Sequence, residues 1–478
     1  MNKTEKNNKS VRVRFAPSPT GYLHIGGLRT ALFNWLYAKN KGGTFLIRIE
    51  DTDMSRSDNK YTEEILKALD WTNLRSEEPI MYQAQRFDIH KELIDSLLEQ
   101  EKAYYCYCSP EEINKRCAVV LPGGMTIVKY DRYCLKNNKS GNGNGVVRFK
   151  LPDDLKEVVF NDLIRGRIVF SIDQLDDFII SRSDDRPVYN FVVVVDDFAM
   201  DITQVIRGED HLSNTPKQIL LYQALGYAIP EFAHLPLILN PNGGRLSKRD
   251  AATSVFDYRD QGYLPDALIN YLARLGWSHG DQEIFTREEL IKYFSLDHVG
   301  KKGAVFDMEK LGWVNSVYIK EMSSKDLLKA IIDIRDLFRL ELKKWSDEQV
   351  LALIDLYKPR AITLLNIADD LKALYDGSTP YSIDDITKWI TIDTRSHLEA
   401  VVKELVLMGD ESARDRIKKV SKEIGCKLVD IAQPVRIALI GKSDGPSVFE
   451  LLSILGKGES VSRLHRFIQY IDENATHE

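Results

Sequence analysis

The sequence predicts an α/β protein, with a doubly wound parallel sheet in its first half and an all-α region at its end. Three observations carry that prediction. Strand and helix patterns alternate from Val11 to about Tyr107, as in a parallel sheet with crossover helices. A glycine-bearing strand–loop–helix lies between Val11 and Lys39, where such a sheet receives phosphates on free N–H groups and a positive dipole end. After about Ser323 apolar residues recur at helical period, with Pro359 and Pro434 as breaks.

Each element follows from its residues. Val11 to Phe15 alternates apolar and basic side chains, a strand with one face turned inward. Pro17 and Pro19 cannot continue a ladder, so the strand ends in an extended loop. Gly21, Gly26 and Gly27 permit close backbone approach, and Leu28 to Lys39 reads as a helix with Leu28, Leu32, Phe33 and Leu36 on one face. His24, just ahead of that helix, has two readings: a hydrogen-bond donor to a triphosphate, or a helix cap. Gly43 to Asp53 reads as a further strand. Lys136 to Gly145 is a low-complexity loop, with short strands at Val146 to Leu151 and Arg167 to Ser171. The sheet resumes at Pro187 and includes the apolar Ile202 to Ile206 strand. Asn240 to Gly244 is a turn cluster, which puts Arg245 to Arg249 on a mobile loop. A lysine on such a loop can meet charge as it develops on a leaving group.

Composition narrows the class. The 478 residues are 44% hydrophobic and 28% charged, enough for several cores in a chain without an 18-residue apolar run. Met1 to Ser10 is polar and lacks an apolar h-region, so a disordered tail is expected there and no signal peptide. Five cysteines, an odd count, fit reduced thiols and a cytoplasmic setting. The net charge of -6 is no nucleic-acid footprint, so an RNA partner would have to meet local basic patches. Neither a Walker loop nor a Gly-x-Ser-x-Gly elbow is present.

Two motifs in this frame resemble the signatures of a class I aminoacyl-tRNA synthetase. Arg14-Phe15-Ala16-Pro17-Ser18-Pro19-Thr20-Gly21 followed by His24-Ile25-Gly26-Gly27 is similar to the HIGH-type motif, and Arg245-Leu246-Ser247-Lys248-Arg249 to the KMSKS-type loop. The surrounding text resembles the glutamyl-tRNA synthetase family, bacterial type, with Arg245 where the family usually has Lys. The resemblance implies a Rossmann-like catalytic domain that activates L-glutamate with ATP and Mg²⁺, then charges tRNA-Glu. It further implies that activation needs bound tRNA, and it allows tRNA-Gln as a second substrate. His24, Gly26, Gly27 and Lys248 match the catalytic positions. Pro17, Thr20, Arg245, Leu246, Ser247 and Arg249 join them at the ATP site. Arg14, Ala16, Ser18, Glu50, Tyr189 and Arg207 match the glutamate pocket. A pocket of two arginines and one acid balances two carboxylates and an ammonium, and so rejects the neutral isostere glutamine.

The resemblance covers nearly the whole chain and divides it. It implies a disordered tail (1–10), a first catalytic half (11–107), an inserted α/β domain for the tRNA acceptor end (108–186), and a second catalytic half with the KMSKS-type loop (187–258). A helical connector (259–322) and a helical anticodon-binding domain (323–478) follow. In the insertion, Cys106, Cys108 and Cys134 resemble a zinc knob, with Tyr130 or Cys117 as fourth ligand, set against a metal-free loop that keeps its thiols; Lys136 stands where some members carry His. Lys358 and Arg360 are candidate tRNA contacts, as are Arg414, Arg416, Lys418, Lys419, Lys422, Arg463 and Arg466, each set against a plain solvated helix face. A monomer without membrane contact is expected. Two rivals remain: a tRNA-modifying ligase sharing the catalytic half but lacking the helical C-terminal domain, and a non-catalytic tRNA-binding paralogue.

Overall fold

The computed structural model describes residues 10–52, 57–120, 126–137, 139, 145–246, 254–377, 380–407 and 412–474. The chain divides into two compact units, one of residues 1–257 and 269–307, the other of 258–268 and 308–478.

The first unit opens with β1 (Arg12–Phe15), α1 (Ile25–Asn40), β2 (Thr44–Ile49), α2 (Asn59–Trp71), β3 (Met81–Tyr82) and α3 (Phe87–Glu99). The three strands are parallel in the order β1-β2-β3. An excursion follows: β4 (Ala103–Cys106), α4 (Pro110–Cys117), β5 (Ala118–Val120), β6 (Thr126–Val128), α5 (Tyr133–Asn137), β7 (Val146–Phe149), β8 (Glu157–Asp162), β9 (Gly166–Ser171) and β10 (Ile179–Ser181). The chain then returns through α6 (Tyr189–Ala199), β11 (Gln204–Gly208), α7 (Thr215–Leu225), β12 (Glu231–Leu235) and β13 (Ile238–Leu239). Beyond lie α8 (Val255–Asp260), α9 (Pro265–Arg274), α10 (Arg287–Tyr293) and β14 (Ala304–Val305).

Thr203 N–H donates to the Arg12 carbonyl at 2.9 Å, and Arg12 N–H donates to Thr203 Oγ1 at 2.7 Å. β1 therefore lies beside the entry to β11. From that seam β2 and β3 extend one way, and β12 the other, in parallel register from Gln204↔Glu231 to Gly208↔Leu235. A seam from which strand order runs outward on both sides is a topological switch point, where the carboxyl ends of the strands leave a crevice. The site described below sits in it.

Several expectations change against this frame. α1 starts at Ile25, not Leu28, and is buried on more than one face: besides β1, β2 and β11 it meets α10, with Phe33 and Phe294 edge to face at 5.1 Å. The stretch after Pro187 is not sheet but α6. Its Phe191 to Val195 run is at most 2% exposed, and burial on all sides overrides the strand preference of four valines. β4 pairs with β7 and β7 with β10, so the excursion's own sheet begins before the expected boundary at 107/108. Its hairpin β8–β9 instead joins the main sheet, β8 lying parallel to β12 through Phe232↔Asp162. Residues expected as a helical connector include β14, which pairs with β13.

The second unit is helical, from Met308–Glu321 to Val448–Asn474, the last helix kinking at Gly456. Pro359 sits in a 3-10 turn at Lys358–Arg360. Pro434, expected to break a helix, lies inside Leu428–Ile440. The lost hydrogen bond is offset by burial of Ile431, Val435 and Ile437, each 0% exposed.

Candidate active site

A cavity of about 1000 Å³ opens at the switch point. It is lined by the β1–α1 loop, Glu50 after β2, Tyr189 at the start of α6, Arg207 on β11, and Arg245. Arg14, Ala16, Pro17, Ser18, Thr20, His24, Gly26, Gly27 and Leu246 all face it, so the expected site residues converge wherever they are described. Ser247, Lys248 and Arg249 lie outside the described residues.

One end of the cavity is built from buried charge. Arg14 donates to both oxygens of Asp197, at 2.9 and 3.2 Å. Arg48 donates to the same carboxylate and to Glu50 Oε1, the latter at 3.1 Å. Burial works against the Asp197 carboxylate, but Arg14 and Arg48 outweigh it and hold its pKa below the ordinary value. At Glu50 the balance reverses: burial exceeds the pull of Arg48 and Arg14, and its pKa rises. Arg207, 5% exposed, gives Nε to His234 Nε2 at 3.2 Å and one Nη to Thr215 Oγ1 at 2.8 Å. Its other Nη is buried without a hydrogen-bond partner among the described residues. Tyr189 Oη lies 3.0 Å from His211 Nδ1. Burial and Glu50 push Tyr189 up to about 12, while burial and Arg207 push His211 down to about 4.

In and directly behind this end of the cavity lie three guanidiniums, of Arg14, Arg48 and Arg207, and two carboxylates, of Glu50 and Asp197. The balance of one positive charge matches a ligand carrying two carboxylates and an ammonium. Sequence reasoning reached that balance with Arg14, Arg207 and Glu50 alone and missed Arg48 and Asp197. A signal existed: Asp196-Asp197 closes an otherwise apolar run, and buried acids need partners. Asp196 is held apart, accepting from Gln83 at 2.9 Å, Arg86 at 2.7 Å and His90 at 2.9 Å.

The other end is open. Of the two readings of His24, the structure shows the cap and leaves the other ring nitrogen free. It caps α1, its Nδ1 accepting from Gly27 N–H at 3.2 Å, which leaves the proton on Nε2 and that edge free to donate. Desolvation and the Arg245 charge lower its pKa, favouring the neutral ring. A Cβ at Gly27 would come within 2.8 Å of Leu23, and one at Gly26 within 3.1 Å of the His24 ring. Both glycines therefore protect the cap. Arg245 is held by an antiparallel bridge to Leu239, after a turn closed by Asn240 Oδ1 on Gly244 N–H at 2.9 Å. It is thus not on a freely moving loop, although its side chain is 68% exposed, 3.8 Å from Asp210.

Away from this cavity, Cys106, Cys108 and Cys134 place their sulfurs within 4.8 Å of one another. Tyr130 Oη accepts from Cys106 at 3.2 Å and lies 4.0 Å from Cys108, while the Arg148 guanidinium covers its ring at 3.9 Å. Cys117 is outside the converging group. In the helical unit, Lys358 gives its ammonium to the Met322 carbonyl at 3.1 Å and to Asp355 at 2.9 Å, a structural engagement. Arg463 is 3% exposed and bonded to the Leu439 carbonyl, so it belongs to the core. Arg416 and Lys419 share Glu404. Arg360 is exposed, with no ion pair among the described residues.

Comparisons with known proteins agree with this geometry. Residues 10–313 match the family described as tRNA synthetases class I (E and Q), catalytic domain, and residues 326–468 match an anticodon binding domain. Glutamate–tRNA ligase 1 of Syntrophus aciditrophicus is 45% identical over 466 residues, covering 97% of this chain and 98% of the relative. The glutamate–tRNA ligase of Thermodesulfovibrio yellowstonii is 46% identical, covering 96% and 99%. The crystal structure of a glutamate tRNA ligase from Elizabethkingia meningosepticum in complex with its amino acid superposes with a TM-score of 0.84 at 33% identity, covering 96% and 99%.

Proposed function

The chain belongs to the class I tRNA synthetases of the glutamate and glutamine type, and from that membership we propose how its residues carry out the activity. That activity is glutamate–tRNA ligation. A glutamate carboxylate oxygen attacks the α-phosphorus of ATP and pyrophosphate leaves. A ribose hydroxyl of the terminal adenosine of tRNA-Glu then takes the acyl group and AMP departs. The observation that carries our assignment of roles is the buried Arg207 Nη without a partner, beside a pocket of one excess positive charge. Arg207 takes the side-chain carboxylate, and Glu50 the ammonium. Arg14, locked on Asp197 with Arg48 behind it, presents a rigid positive group to the reacting carboxylate, with Ala16, Ser18 and Tyr189 shaping the space. Glutamine in place of glutamate leaves Arg207 with a buried uncompensated charge, a strong ground for rejection.

His24 Nε2–H, the N-terminal amides of α1 and Arg245 receive the phosphates of ATP. Pro17, Thr20, Gly26, Gly27 and Leu246 shape their seat, and Ser247 and Arg249 are proposed to act on the same phosphates. Lys248 meets the charge that grows on pyrophosphate. Mg²⁺ bound with ATP would supply neutralisation of the phosphate charge there. At the knob, three sulfurs and a phenol oxygen form a donor set that suits zinc, held by Cys106, Cys108, Cys134 and Tyr130. The ion would serve there as a cross-link. Arg360 reaches the anticodon stem or loop, and Lys358, already engaged, supports the helix beside it. The enzyme works as a cytoplasmic monomer, with tRNA-Gln as a second substrate to be tested.

Glutamate-dependent ATP–pyrophosphate exchange, run with and without tRNA-Glu, tests the scheme. Exchange only with tRNA present is the expected result. Exchange without it would favour the tRNA-modifying rival, and none under either condition would favour the paralogue.

A further inference from the structure

We propose that Asp162, His234 and Thr215 form a buried relay that fixes how Arg207 presents its free Nη, and that these three are positioning residues for glutamate specificity. Asp162 comes from the excursion hairpin, His234 from β12 and Thr215 from the first residue of α7; they are 3%, 0% and 0% exposed. The hydrogen bonds close in one direction only. His234 Nδ1 lies 2.6 Å from Asp162 Oδ2. A carboxylate only accepts, so Nδ1 carries the proton and Nε2 is a lone pair. That lone pair accepts from Arg207 Nε at 3.2 Å and from the Thr215 hydroxyl at 3.1 Å. Thr215 Oγ1 in turn accepts from one Arg207 Nη at 2.8 Å. Nε and one Nη of the guanidinium are thereby consumed, and the plane is fixed with the second Nη left over.

The carboxylate is itself anchored. Asp162 Oδ1 accepts from the amides of Ile164 at 2.9 Å and Arg165 at 2.8 Å. Burial opposes its charge, yet His234 and these amides keep its pKa below the ordinary value. Burial and the Arg207 charge likewise keep His234 neutral, the state with a lone pair to offer. A guanidinium held at two edges loses little freedom when a ligand takes the third.

The inference rests on the reading of Arg207 as the side-chain carboxylate partner. The test separates the two. Full-length enzyme, assayed with tRNA-Glu, is compared as wild type, Arg207→Gln, Asp162→Asn, Thr215→Val, Thr215→Ser and the double variant Arg207→Gln/Thr215→Val. Asp162→Asn offers an amide to Nδ1 and drives the imidazole to the tautomer that faces Arg207 Nε with an N–H. Thr215→Val is isosteric without the hydroxyl, and Thr215→Ser restores it. We expect Asp162→Asn and Thr215→Val each to raise KM for glutamate about tenfold, as for one lost charge-assisted bond. Their kcat should stay within about twofold and glutamate-over-glutamine selectivity should fall, while Thr215→Ser stays near wild type. The double variant should be no worse than Arg207→Gln alone, because the relay acts through that side chain. If Arg207→Gln raises KM and the relay variants do not, or if their losses add to it, the relay is overturned. If Arg207→Gln itself leaves KM unchanged, the reading beneath the inference fails instead.

Discussion

The two ends of one cavity are built on opposite plans. The end proposed for glutamate is buried and committed: Arg14, Arg48, Asp197 and Arg207 are each at most 5% exposed, Asp197 already joins Arg14 to Arg48, and Arg207 is already bonded to His234 and Thr215. The end proposed for ATP is open and sparing. His24 is held by a single cap bond, Arg245 is two-thirds exposed, and the lysine assigned to the chemistry follows on the next few residues. The difference follows from what each end must do. Choosing glutamate over glutamine requires a charge partner positioned beforehand, because a neutral isostere is excluded only where a mismatch is costly. Moving a phosphate requires donors that gain strength as charge develops, so tight binding of the ground state would be wasted.

The comparison breaks most visibly at Asp197. Asp197→Ala leaves Arg14 and Arg48 buried without their shared carboxylate, and the fold should lose about 3–5 kcal/mol, the usual cost of breaking a buried pair. Urea denaturation followed by near-UV dichroism measures this; a loss below 1 kcal/mol would mean that the glutamate end is not preassembled. At the other end, Lys248→Ala should slow adenylate formation by about two to three orders of magnitude, with glutamate KM and folding stability close to wild type. A variant with normal turnover would remove that residue from the chemistry. Arg207→Gln sharpens the contrast: KM for glutamate should rise by about one to two orders of magnitude, and discrimination against glutamine should narrow, with melting little changed. Competition assays with both amino acids read the ratio directly.

A smaller effect is expected with pH. His211 has its pKa near 4 in the folded chain and an ordinary value, about 6.5, when unfolded. The unfolded state takes the proton first as pH falls, so this residue's contribution is complete above about 6.5 and gone by about 4. His211→Asn should therefore flatten the fall of the melting midpoint across that window, and an unchanged slope would contradict the shift. Smallest is Arg360→Ala, which should raise the tRNA KM by about tenfold or less without moving that for glutamate. Equal effects on both substrates would place Arg360 outside tRNA recognition.

Much of the site was legible because its chemistry is local. Pro17 and Pro19 end a strand, Gly26 and Gly27 admit a helix start, and Glu50 follows an apolar strand; each pattern spans a few residues. What escaped was set by partners distant in the chain. Nothing near Arg48 announces Asp197, 149 residues away. The valine run of α6 reads as strand until its burial on all sides is seen, and Pro434 reads as a break until its buried neighbours are counted. The cap reading of His24 does not exclude the donor reading, since one ring has two nitrogens. The pairings of the excursion escaped for the same long-range reason: periodicity cannot say that β4 pairs within the excursion while β8 pairs outside it.

That last pairing limits how the chain can be recombined. The segment between the two catalytic halves looks like a cassette that could be exchanged between relatives, yet β8 lies along β12 and Asp162 ends that strand. Cutting out the whole segment would strip the edge from β12 and expose its ladder to other chains. A workable graft must leave Glu157 to Ser171 with the host and join new sequence on either side of that hairpin. Keeping this chain's own β8–β12 pairing while swapping the rest of the excursion is thus a two-splice operation.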